Sequence, residues 1–306
     1  MESPTSRPRM KGEAQALSKA SLVWLGFRVS LVSKQNQHSV RVENVPGSSG
    51  ARLHWLHENN AQKVIFYIHG GGFALPANDG HVKFVLLCRE QMLKKSSGVA
   101  VAFLEYGLTP ETRYPTQYQQ AVEALNSILE AGFNAKNIVI AGDSAGGNIT
   151  LALLALTTNS LPRVPHLELS EPIAGIIAIC PWTSMSSTSD SYTECASTDI
   201  IFADQMHWWG DNWVSASDYN NFTEMTKTNT EFWHGVLTQR VLVVTGENEV
   251  FRDDIKRLGS TLSAAGVNCK TVCCPKQVHI DCVLDAQYAL PPGPMSLIIW
   301  DWIKQL

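Results

Sequence analysis

Ile138-Val139-Ile140-Ala141-Gly142-Asp143-Ser144-Ala145-Gly146-Gly147-Asn148-Ile149-Thr150 is the stretch on which the fold turns. Its first four residues are apolar and three are β-branched, the mark of a short buried strand. From 145 to 156 the spacing becomes helical. Between the two lies Gly-x-Ser-x-Gly, a pattern that works where a strand turns sharply into a helix. The serine then occupies a strained corner with its hydroxyl exposed. Glycines two residues to either side let the chain pack closely there. The pattern alone recurs by chance; the strand before it and the helix after it make Ser144 a nucleophile rather than part of a Gly-rich turn. Asp143 points away when Ser144 points out, which predicts a structural role.

Working outward, residues 64–68, 99–104, 173–179, 241–245 and 269–273 read as further strands. Residues 81–95, 118–130, 253–265 and 295–304 read as helices. Residues 38–43 and 52–57 alternate in polarity and predict an antiparallel pair at a sheet edge. Strands that are apolar throughout, alternating with helices, predict an α/β protein with a mostly parallel central sheet covered on both faces. The pattern breaks over residues 184–235. That stretch carries Trp208, Trp209, Trp213 and Trp233 among many polar residues, without a strand signal, and reads as a helical insertion. Residues 22–32 predict an amphipathic helix that packs on the body, covers a pocket or touches a membrane surface. It is too short to cross a bilayer, and Arg28 interrupts it.

The 306 residues are 44% hydrophobic and 17% charged, as in a globular protein with a large core. A net charge of −4 offers no basic surface, so no nucleic-acid partner is expected. The first 19 residues are polar and lack the apolar stretch of a secretory signal. With seven cysteines, an odd number, that predicts reduced thiols and a cytoplasmic, intracellular location. Asn148-Ile149-Thr150 and Asn221-Phe222-Thr223 then count as chance glycosylation sequons.

His69-Gly70-Gly71-Gly72-Phe73 follows the strand at 64–68. A tetrahedral intermediate carries negative charge on oxygen, and backbone N–H groups reach it only where no side chain blocks the approach. Gly71 and Gly72, with the N–H of Ala145, are the expected donors. A phosphate-binding turn would need a helix directly after the glycines, and Phe73-Ala74-Leu75-Pro76 does not start one. His69 is expected to orient the loop. His279 follows the last strand and is the last of nine histidines, which makes it the expected base. Cys269, Cys273, Cys274, His279 and Cys282 crowd together, but their spacing is not that of a zinc site, and no metal or cofactor is expected. An acid belongs just past 241–245, where Glu247, Glu249, Asp253 and Asp254 are all available and local reasoning leaves the choice open.

These residues together resemble the hormone-sensitive-lipase family of α/β-hydrolases, from about residue 64 to the C-terminus. His69 to Phe73 and Gly142 to Gly147 match its two signature motifs. Tyr106-Gly107-Leu108-Thr109-Pro110-Glu111 resembles the family's Y-R-L-A-P-E, departing at Gly107 and Thr109. Tyr114-Pro115 and Pro181-Trp182 match further points. Glu249-Val250-Phe251-Arg252-Asp253-Asp254 resembles D-P-L-R-D-E, whose first residue is the triad acid, so the resemblance implies Glu249. It also implies a single α/β-hydrolase domain, with a helical cap from residues of about 1–37 and the insertion at 184–235. The activity implied is cleavage of a small apolar ester through a Ser-His-Glu triad, with Phe73, Trp182, Trp208 and Trp209 as pocket residues. Fungal members, which the details resemble most, include enzymes of sterol acetates and secondary metabolites. Two alternatives remain: a non-hydrolytic enzyme on the same fold (acyl transfer, lactonisation or cyclisation), and an inactive ligand-binding protein, against which the presence of His279 weighs.

Overall fold

The computed structural model describes residues 40–57, 59–96 and 98–306. Eight strands form one sheet in the order β1-β2-β4-β3-β5-β6-β7-β8. They are β1 (Val40–Asn44), β2 (Arg52–Leu56), β3 (Lys63–Ile68), β4 (Val99–Glu105), β5 (Ile138–Asp143), β6 (Gly175–Ile179), β7 (Val241–Gly246) and β8 (Cys269–Cys274). β1 and β2 are the antiparallel pair expected at one edge, and every pairing from β4 onward is parallel. Helices α1 (Asp79–Leu93), α2 (Thr116–Glu130), α3 (Ser144–Ala155), α4 (Ala203–Trp213), α5 (Arg252–Ala264), α6 (Asp281–Tyr288) and α7 (Pro294–Ile303) complete it, with short helical turns between.

The period of two along each strand divides the core. Val64, Phe66 and Ile68 of β3, Ile138 and Ile140 of β5, and Val241 and Val243 of β7 face α2, α3 and α5. Ile65 and Tyr67, Val139 and Ala141, and Leu242 and Val244 face α1, α6 and α7. Both faces bury apolar side chains, which is why each of these strands carries a continuous apolar run. The expected elements are present with ends shifted by a few residues. β5 runs on through Gly142 and Asp143, and α6 has no counterpart among the sequence expectations.

Residues 184–235 hold α4 and several short helical turns. A lone bridge between Ser184 and Glu224 closes the base of the insertion. Buried Glu224 accepts from Ser184 Oγ (2.6 Å) and the Met185 and Ser186 amides. The amphipathic segment expected at 22–32, and with it the N-terminal half of the expected cap, lies outside the described residues. Among those described, no helix is long and apolar enough to cross a membrane.

Candidate active site

β5 ends at Asp143 and α3 begins at Ser144, so no loop separates them. The chain makes the corner by placing Ser144 at φ +52, in the left-handed region that costs a side-chain-bearing residue energy. Close packing holds it there. A Cβ on Gly146 would stand 2.0 Å from the Ile68 carbonyl oxygen, and one on Gly70 would stand 2.9 Å from Ser144 Cβ. The start of α3 therefore lies flat against the end of β3, with Ser144 between them. The N–H of Ala145 is in the first turn of α3, where no intrahelical acceptor exists.

Asp143 turns inward, as expected. Its Oδ1 accepts from Tyr67 Oη at 2.7 Å, and Oδ2 lies 3.3 Å from His81 Nε2. Burial opposes ionisation, but His81 and Tyr67 outweigh it and hold this carboxyl below the ordinary range. The glycine loop is fixed by the same kind of contact. His69 stacks on Tyr106 at 4.4 Å, and Tyr106 Oη donates to the His69 carbonyl at 2.8 Å. Burial, with His81 nearby, lowers the His69 pKa to about 4. The ring is therefore neutral near pH 7, and Nδ1 donates to the Gly70 carbonyl at 2.6 Å. Gly71 and Gly72 follow at φ +108 and +60, conformations that glycine adopts without strain. The departure at Gly107 also has a cause: a Cβ there would meet Thr112 Oγ1 at 2.3 Å.

Glu249 and His279 meet. His279 Nδ1 donates to Glu249 Oε1 at 2.7 Å, and both side chains are buried. The other oxygen, Oε2, accepts from Thr245 Oγ1 (2.7 Å) and the Gly246 amide (2.8 Å). Both donors belong to the end of β7, so the strand aims the carboxylate across to the loop after β8. Phe251 closes the site edge-on to the imidazole, 5.2 Å away. Burial alone would lower the His279 pKa; the hydrogen bond and charge of Glu249, joined by Asp199 and Asp143, reverse that and leave it raised. Asp253 points elsewhere, to Arg252 (2.9 Å) and the Ser191 amide (3.0 Å).

Among the described residues, Cys180, Glu249 and His279 are the one group whose ligand atoms converge, within 4.8 Å of one another. Hydrogen bonds already engage those atoms: the Cys180 sulfur accepts from the Ile280 amide at 3.3 Å, and both Glu249 oxygens are occupied. That donor set suits an acid–base pair better than a metal.

The four aromatic residues expected at the pocket fall into different places. Phe73 is fully buried and stacks on Trp213 at 3.7 Å. Trp182 is enclosed beside Phe251, and its Nε1 donates to Ser184 O. Trp208 is 56% exposed. Trp209 alone covers the glycine loop: a Cβ on Gly72 would stand 2.2 Å from its Cε3. A cleft of about 360 Å³, lined by Lys83, Glu90, Asp285 and Trp300 among others, lies between α1, α6 and α7 and contains none of these residues.

Sequence reasoning missed Asp199. This buried carboxylate of the insertion accepts from the amides of His279 (2.9 Å) and Val250 (2.8 Å). The insertion has neither motif nor periodicity, so nothing in the sequence marks it.

A sequence profile described as alpha/beta hydrolase fold matches residues 65–282. An esterase of Gibberella moniliformis is 27% identical over 240 residues, 76% of this chain and 70% of that protein. An acetyl-hydrolase of Streptomyces hygroscopicus is 26% identical over 221 residues, 71% of this chain and 68% of that one. The crystal structure of an esterase from the bacterial hormone-sensitive lipase family is similar at a TM-score of 0.69 and 21% identity, covering 92% of this chain and 90% of that chain.

Proposed function

Because the chain belongs to the α/β-hydrolase-fold family, on its hormone-sensitive-lipase side, and is a carboxylic ester hydrolase, we propose that Ser144, His279 and Glu249 are its catalytic triad. The observation that carries the reading is the buried 2.7 Å hydrogen bond from His279 to Glu249, on the same sheet edge as the strained serine. His279 takes the Ser144 proton as Oγ attacks the acyl carbonyl. The amides of Gly71, Gly72 and Ala145 receive the developing oxyanion. His279 then protonates the leaving alcohol, giving an acyl-enzyme. A water deprotonated by His279 attacks it, and the carboxylic acid departs. Glu249 holds the imidazole in the tautomer that leaves Nε2 free to accept.

The substrate we propose is a small ester with a short acyl group and an apolar alcohol, of the kind found in sterol or secondary metabolism. Trp209 supports the short acyl group, since its indole rests on Gly72, and the Streptomyces hygroscopicus relative is an acetyl-hydrolase. We also propose that the insertion at residues 184–235 contributes to the cap over the site. The test is hydrolysis of p-nitrophenyl esters of rising chain length, with Ser144→Ala as control. Acetate should be the best substrate. Trp209→Ala should raise kcat/KM for hexanoate relative to acetate by about tenfold, the value of roughly a methylene or two of new space. An unchanged ratio would remove Trp209 from the acyl site.

The pH profile gives a second check. Only neutral His279 accepts a proton. Its pKa is raised in the folded protein, so the acid limb of kcat/KM should have its midpoint above the ordinary histidine value of about 6.5. Activity is then lost as pH falls through that midpoint. A midpoint below it would mean that burial, not Glu249, governs the imidazole.

A further inference from the structure

We propose that Asp199 is a positioning residue for this reaction, a carboxylate supplied by the insertion that ties the base loop to the acid loop. The inference rests on the triad reading and goes beyond it, because Asp199 belongs to neither loop. Its Oδ1 accepts from the backbone N–H of His279 itself, at 2.9 Å. Its Oδ2 accepts from the N–H of Val250, the residue directly after Glu249, at 2.8 Å. Oδ1 also accepts from the Ile200 amide at 2.8 Å, which fixes the carboxylate to its own segment. One buried side chain thus sets the separation of the two backbones whose side chains must meet.

The chemistry demands a carboxylate. Both loops present N–H donors, so the bridging group must accept at both ends. Asparagine would turn its NH₂ toward one of those donors, losing a hydrogen bond and leaving a buried N–H unpaired. Among the described residues no Lys or Arg pairs with Asp199. Burial raises its pKa above the ordinary carboxylate value, opposed by the nearby His279 charge and the backbone amides. Its hydrogen-bond partners are the three amides of His279, Val250 and Ile200.

The charge also bears on the base. The groups facing His279 are Glu249 from the turn after β7, Asp143 from the end of β5, Cys180 from the end of β6, and Asp199 from the insertion. Those facing Asp199 are His279, Glu249, Asp281 after β8, and Cys195, which lies beside Arg252. A negative Asp199 favours the imidazolium. Removing that charge lowers the His279 pKa and moves the acid limb of kcat/KM to lower pH. Asp199 has no part in the acyl site, so its loss acts on kcat and leaves KM for a small acetyl ester nearly unchanged.

The experiment measures kcat, KM and the kcat/KM–pH profile with p-nitrophenyl acetate, and the rate of Ser144 labelling by a fluorophosphonate. It uses the full-length wild type, Asp199→Asn and Asp199→Glu. Asp199→Asn should lose about tenfold or more in kcat, the cost of a small misplacement of the base, with its acid limb shifted down. Asp199→Glu keeps the charge, so its acid limb should stay at the wild-type position while kcat falls from the displaced loops. A purely structural role would lower Tm in both variants and move neither limb. If wild type labels while Asp199→Asn keeps its acid limb and kcat, the role is overturned. Should Asp199→Asn be recovered only unfolded, Asp199→Glu decides, and wild-type kcat in that variant overturns the role. A wild type that does not label at Ser144 overturns the triad, and this role with it.

Discussion

Ser144→Ala should abolish ester hydrolysis to within the background of the oxyanion donors, a fall in kcat of about 10⁴–10⁶-fold. It should also abolish covalent labelling by a fluorophosphonate. The size of the effect follows from the elbow. Ser144 is at φ +52, a strained conformation that the fold maintains by packing Gly70 and Gly146 tightly around the corner. That arrangement makes sense if the hydroxyl must stand clear of the strand and face an incoming carbonyl. Alanine fits the same backbone, so the variant should fold with a Tm near that of wild type, and the loss will report chemistry rather than collapse. A second candidate nucleophile, the Cys180 thiol, lies within 4.8 Å of the Glu249 and His279 side-chain atoms. Burial and the Glu249 charge hold its pKa well above the ordinary value, so it is a protonated thiol at neutral pH and should not take over. Full labelling of Ser144→Ala would remove Ser144 from the role of nucleophile.

The sheet was legible because its physics is local. β3, β4, β5, β6 and β7 are covered on both faces, so each shows a continuous apolar run that no surface strand would carry. The elbow was legible because glycine at 142 and 146 is forced by backbone contact, which writes itself into sequence at fixed spacing. α6 was not legible. It starts directly after His279 from Ile280 in the left-handed region and ends at Ala289 in the same region. Neither left-handed position is a glycine, and no glycine or proline marks the start; Pro291 and Pro292 follow the end, but a stop without a start does not define a helix. The aromatic residues were legible as large apolar area but not as positions. Phe73 and Trp182 pack inside, while adjacent Trp208 and Trp209 on α4 point to different surroundings, solvent for one and the glycine loop for the other. Asp199 shows the firmest limit. Its partner His279 is 80 residues away, and a contact between an irregular insertion and a loop leaves no periodicity to read.

Glu249→Ala should cut kcat by about 10³-fold or more, or about 4 kcal/mol of barrier, because an unoriented imidazole loses the required tautomer. Asp253→Ala should cost far less. In sequence the two were rivals, and three observations separate them. Glu249 Oε1 accepts from His279 Nδ1, while Oε2 is pinned by Thr245 and the Gly246 amide. A glutamate is one methylene longer than the aspartate usual at this point, and the two donors at the end of β7 fold that extra length back toward the strand. Asp253 instead sits in the first turn of α5, where an acidic side chain complements the helix dipole. It pairs there with Arg252 and the Ser191 amide. Its removal should lower stability by about 0.5–1 kcal/mol and leave kcat within a few-fold. Glu249→Asp is the sharper comparison: the shorter side chain keeps the charge but cannot reach His279 from the same backbone while holding Thr245. It should therefore fall between wild type and alanine in kcat. If Asp253→Ala proves to be the inactive protein while Glu249→Ala stays near wild type, the acid is one helical turn further on, and the 2.7 Å contact with His279 has no part in catalysis.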